Sequence, residues 1–175
     1  MNSWKVKWLI ALALNVQILS SYAVTLNAFV EDAVQQSIFQ TESAKVALTK
    51  SSSSEVKDFA NNMVSENSHL YLELQKLAQQ LHMDVPTEPS LASKAKLMRL
   101  EYRDESFDRI YIDGQVETLE QRMTLFKKEA TSSENSDLKA FAKEALPGIL
   151  KQVGLAKNIQ TKLKPSAGAL TPVEP

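Results

Sequence analysis

Glu66-Asn67-Ser68-His69 is where this chain spells a metal-binding pattern. Helical bundles build dinuclear centres from two Glu-x-x-His pairs that project inward, with a further carboxylate from each of two other helices. A second copy is therefore required. The chain has two histidines in all, and the other, His82, follows Gln79 at that spacing rather than a carboxylate. On a helix His69 lies about 160° from Asn67, so if Asn67 faces the core the imidazole faces water and Glu66 takes the flank. A dinuclear site is not expected. A nucleophilic triad is no better supported, because neither histidine has an inward partner to hold it against a nucleophile. With 4 glycines there is no phosphate-cradling loop, and with no cysteine there is no thiolate ligand, cysteine nucleophile or disulfide. No catalytic residue, bound metal or cofactor is expected on these grounds.

The remaining chemistry is a set of polar side chains at apolar-face positions: Asp108, Gln115, Asn67 and Gln152, with Glu42 close by. An unpaired buried amide costs about 1–3 kcal/mol, so these groups should bond to one another, to backbone or to trapped water. A polar network that fixes helix register is favoured over a ligand site. Gly114 falls within a helix, where it costs about 1 kcal/mol against alanine. Close helix approach is the expected reason, ahead of a ligand contact. Phe107, Tyr111 and Tyr102 cluster nearby and read as the edge of a core rather than a binding platform.

The elements that position these residues follow from periodicity. Glu105–Ala130 is the organising helix, with Ile112, Val116, Leu119, Met123, Phe126 and Ala130 on one stripe and Asp104 as its cap. Thr25–Lys50 gives a first helix with Val30, Val34, Ile38, Thr41 and Leu48 in line. Ser52 and Glu55 have capping-box spacing before a second helix, Glu55–His82, whose apolar face is centred on Asn67. Pro86 and Pro89 end it, Leu91–Glu101 forms a short crossover helix, and Asp137–Leu163 is the last long helix, kinked at Pro147. There is no strand-like alternation. The expected fold is all-α: an up-down-up-down four-helix bundle with a short extra helix, over residues 24–164.

Met1–Ala23 has the parts of a secretory signal. Lys5 and Lys7 precede an apolar run over Trp8–Leu19, and Ser21-Tyr22-Ala23 offers a small-x-small cleavage site before Val24. The run is short for a membrane span, although an uncleaved anchor helix is the competing reading. Residues 165–175 have no periodicity and read as a disordered tail. Loss of the first 23 residues removes two lysines and no acid, which moves the formal charge from −1 to −3. With no basic face in the sequence, nucleic-acid binding is not expected.

Several segments together resemble a known family. Phe29-Val30-Glu31-Asp32-Ala33, Ser54-Glu55-Val56-Lys57-Asp58-Phe59-Ala60-Asn61-Asn62-Met63-Val64, Phe107-Asp108-Arg109-Ile110-Tyr111-Ile112-Asp113-Gly114-Gln115-Val116 with Leu125-Phe126, and Asp137-Leu138-Lys139-Ala140-Phe141-Ala142 with Leu146-Pro147 resemble the exported bacterial DUF4142 family over Leu26–Leu163. The resemblance implies a ferritin-like bundle in a Gram-negative periplasm or outer-membrane fraction, and no established reaction. It also implies that typical members carry histidine where this chain has Asn67, Leu119 and Gln152, with Glu42 at a matching place on the first helix. Amides are poor ligands for transition metals and leucine is none, so the pocket is degenerate here.

Two functions follow as expectations. The first is a non-enzymatic exported bundle, a stress-related or interaction module. Its partner is an unknown envelope protein or a second copy, with peripheral membrane association also open. The alternative is a ferritin-like metal-binding protein that uses the inward carboxylates, drawing on Glu42, Glu66, Glu120 and His69.

Overall fold

The computed structural model describes residues 27–163, so the expected signal segment and tail lie outside the described residues. Helices α1 (Ala28–Lys50), α2 (Ser54–Gln80), α3 (Leu91–Glu101), α4 (Phe107–Ser132) and α5 (Ser136–Leu163) account for nearly all of it, and there is no strand among the described residues.

Each start has a local cause. Asn27 Oδ1 accepts from the Val30 amide at 3.2 Å and opens α1. The cap of α2 is Ser53, not Ser52: its hydroxyl accepts from the Val56 amide, while Ser51 is turned inward and buried. Ser90 caps α3. The expected Asp104 cap is also replaced. The α4 helix starts at Phe107 after Ser106, which adopts a left-handed conformation (φ 64°) with no side-chain cap bond. Asp104 instead takes the Lys50 ammonium at 3.0 Å, tying the end of α3 to the end of α1. Asn135 Oδ1 accepts from the amides of Asp137 and Leu138 and begins α5, which remains helical on both sides of Pro147.

Two apolar clusters set the helix directions. One gathers Ala44, Ala47, Val56, Phe59, Met63, Phe107, Ile112, Leu119 and Ile159 around the α1–α2 turn. The other gathers Phe29, Val34, Leu74, Ala78, Phe126, Ala130, Leu138 and Ile149 around the α4–α5 turn. Helices α2 and α4 therefore both run from the first cluster to the second, and α1 and α5 run back. The four long helices go up, down, down, up, which corrects the expected alternation. The reason is the link over residues 81–106, long enough to return along the bundle. Its α3 runs beside α1, with Gln35 bonded to the Glu88 carbonyl and the Ser90 amide at one end and Lys50 to the Glu101 carbonyl at the other.

The α4 stripe lies inside as expected, except that Met123 is only half-buried. On α1, Val30 and Val34 are buried as expected, and from there on the stripe is displaced by about one position. Ser37, Gln40, Ser43, Ala44 and Ala47 are buried, while Ile38, Thr41 and Leu48 are half-buried. Small and polar residues occupy the inward face because their hydroxyls and amides find partners there, and the larger apolar residues cover its edges. The aromatic group divides: Phe107 and Tyr111 stack in the first cluster, while Tyr102 is 81% exposed.

Candidate functional site

Between the two clusters the bundle has a polar waist, and its largest member is a cation. Arg122 is fully buried. It follows Leu119 by three positions and precedes Phe126 by four, so it lies on the inward stripe of α4. Its Nη1 donates to Asn67 Oδ1 at 2.5 Å and its Nη2 to Ser37 Oγ at 3.4 Å, while Nε has no partner among the described residues. Both acceptors are held in place by their own helices. Asn67 Nδ2 donates to the Met63 carbonyl at 2.7 Å, which leaves Oδ1 for the guanidinium. The Ser37 hydroxyl gives its proton to the Ala33 carbonyl at 2.8 Å and keeps a lone pair for Arg122. Three helices thus meet on one guanidinium, through neutral partners only. Burial pushes its pKa down to about 9, which leaves it charged at neutral pH.

A second network sits beside the first. Gln115 Nε2 donates to Ser43 Oγ at 2.9 Å, Ser43 Oγ to the Gln40 carbonyl, and Gln40 Nε2 to Thr118 Oγ1 at 3.3 Å. Among the described residues the amide oxygens of Gln40 and Gln115 have no partner, nor do Asp108 Oδ1, Gln152 Oε1 and the Tyr111 hydroxyl. Of the residues expected to form a polar network, Asn67 and Gln115 take part in one, and it is incompletely satisfied. Asn67 anchors one part and Gln115 the other.

The positions singled out from the sequence differ in environment. Asn67 and Leu119 are fully buried. Gln152 is half-buried and lines a groove between α2 and α5 with Glu66 and Gly148. Glu42 is at the edge of α1, its side chain 41% exposed and paired with Lys45 at 2.7 Å. It borders a different cleft, of about 300 Å³, with Ser37, Thr41 and Tyr71. Of the carboxylates and imidazole of the metal-binding alternative, Glu66 and His69 border one groove, while Glu42 and Glu120 lie on other helices. Glu120 pairs with Lys157, His69 faces Glu73 at 3.4 Å, and Glu66 is exposed. Among the described residues no three His, Asp or Glu side chains gather as a set able to hold a metal ion.

Gly114 does not serve close helix approach. A methyl group built there would meet nothing within 4 Å, because the residue borders an open cavity. Arg122 was missing from the residues expected inside. Its spacing from Leu119 and Phe126 carried the signal, but an arginine on an apolar stripe is by default assigned to water.

Tyr111 makes a test of the waist's unsatisfied groups. Burial raises the pKa of its phenol. The unfolded phenol ionises near pH 10, so the stability that Tyr111 contributes is fully present below about pH 10 and is lost as pH rises beyond it. Tyr111→Phe is expected to gain about 1 kcal/mol at neutral pH and to weaken the alkaline loss, measured by urea unfolding at neutral pH and at about pH 11. A less stable variant with an unchanged alkaline slope would show that the hydroxyl is satisfied.

The fold and waist define a class: an antiparallel helical bundle of four long helices with one crossover, closed at the centre by polar side chains. The family is narrower. Residues 16–159 match the model described as Domain of unknown function (DUF4142), and the chain belongs to that family. Neither a curated protein nor a solved structure matches it.

Proposed function

We propose that this chain is an exported, non-catalytic bundle that works as an interaction module in the bacterial envelope, with a metal pocket that has lost its function. The observation that carries this is Arg122. Its guanidinium is hydrogen-bonded to Asn67, one of the positions at which the family resemblance implies a histidine ligand. A divalent ion about 5 Å from a guanidinium is repelled by about 6–7 kcal/mol at an effective dielectric of about 20. That corresponds to roughly four to five orders of magnitude in affinity. Residues without donor capacity would weaken a metal site; a fixed cation opposes one. The long crossover is the connectivity that ferritin-like bundles use, and supports an origin in that class.

Export rests on the signal-like segment at Met1–Ala23. No helix among the described residues is long and apolar enough to cross a membrane. The partner is an envelope protein or a second copy of the chain, and peripheral association with a membrane is compatible with the same placement. Intact mass of the protein from fractionated cells tests export, with a chain beginning at Val24 in the envelope fraction as the expected result.

Elemental analysis and melting with and without chelator test the centre. No stoichiometric metal and an unchanged melting temperature are expected. Tightly bound zinc, iron or copper, with a melting temperature that falls on chelation, would instead favour the alternative built on Glu42, Glu66, Glu120 and His69.

A further inference from the structure

We propose that the cavity between α1, α3 and α4 binds a small amphipathic organic anion, an aromatic carboxylate, with its ring inside and its charge at the rim. This site is separate from the waist around Arg122 and does not depend on how that centre is read. The cavity measures about 180 Å³. A dry apolar cavity of about 150 Å³ is known to accept a benzene ring, so a single substituted ring fits by size. Phe39, Leu100 and Ile110 supply apolar walls. Lys96, Arg99 and Arg103, all exposed and all from α3 or its end, supply the cationic part of the lining, and no carboxylate lines it.

The charge arrangement is one-sided for a reason visible in the ion pairs. The other cations nearby are already engaged: Lys50 by Asp104 and Lys94 by Glu88. Among the described residues Lys96, Arg99 and Arg103 have no carboxylate partner. Lys96 instead lies 6.0 Å from the centre of the Phe39 ring, so cation and ring already share the cavity wall. Arginine adds a planar fork suited to a carboxylate.

Two further observations point to an occupant. Gly114, at the same wall, spends helix stability to leave space that a methyl group would enter without a clash. The α3 wall is also lightly packed. Helix α3 has no fully buried residue, and its two ends are tied to α1 by polar contacts.

The test uses the chain beginning at Val24, titrated by calorimetry with benzoate, 4-hydroxybenzoate and uncharged benzamide. Saturable binding of both acids is expected, with benzamide at least tenfold weaker. Gly114→Leu fills the cavity from a helical position and is expected to abolish binding while the melting temperature is retained. The triple variant Lys96→Gln, Arg99→Gln, Arg103→Gln keeps the fold and is expected to weaken benzoate at least tenfold, with a loss of salt dependence. Absence of saturable binding by either acid at millimolar concentration overturns the proposal. So does binding that survives in Gly114→Leu or is shared equally by benzamide.

Discussion

Asn67→Leu is expected to destabilise the folded chain by about 3–5 kcal/mol, although it exchanges an amide for an apolar side chain of similar size. In an apolar interior that exchange is ordinarily close to neutral. Here the amide oxygen is the nearest acceptor of a fully buried guanidinium, which has no carboxylate and an unpartnered Nε already. Removing it leaves Ser37 Oγ, at 3.4 Å, as the remaining side-chain acceptor. The loss is therefore the cost of a stranded charge rather than of one hydrogen bond. Arg122→Met in the same chain removes that charge, and the double variant is expected to equal or exceed the unmodified chain by up to about 4 kcal/mol. Urea unfolding of the four proteins gives the coupling directly, with unchanged m-values as the control that only stability has moved. A neutral Asn67→Leu would mean that the guanidinium is solvated or otherwise paired, and the electrostatic case against a metal at the waist would fall with it.

The same residue shows where a sequence reading stops. Long helices were visible because their apolar positions recur, and α4 kept its stripe from Ile112 to Ala130. The start of α3 was marked by the prolines before it. Direction was not visible, because periodicity describes one helix at a time. Whether residues 81–106 cross the bundle depends on which ends share a cluster, as Phe107 does with Val56. The α1 face misled for a related reason. Ser37, Gln40 and Ser43 score as surface residues, yet each is buried and bonded. Among the site residues, Asn67 and Gln115 could be placed inside by helical angle alone. Arg122 shares that angle, but its burial depends on acceptors from two other helices, and these become neighbours only in the folded chain.

Phe126→Ala is expected to cost about 3–5 kcal/mol and to lower the melting temperature by about 10 °C. Phe126 is fully buried where α1, α4 and α5 meet, edge-on to Phe29 at 5.0 Å between ring centres and tilted against Phe141 at 6.2 Å. The ring cannot be replaced by movement of one neighbour, since its contacts lie on two different helices. How the loss spreads is the more informative measurement. The bundle has two apolar clusters with a polar waist between them, so the second could in principle loosen alone. Arg122 opposes this by linking α4 to α2 and to α1 at the junction. Hydrogen exchange on Phe126→Ala is therefore expected to show the same loss of protection in both clusters, as in a single cooperative unit. Loss confined to the amides around Phe29, Leu138 and Ala142 would show instead that the waist separates two units. The buried guanidinium would then contribute its cost to the fold without joining the halves.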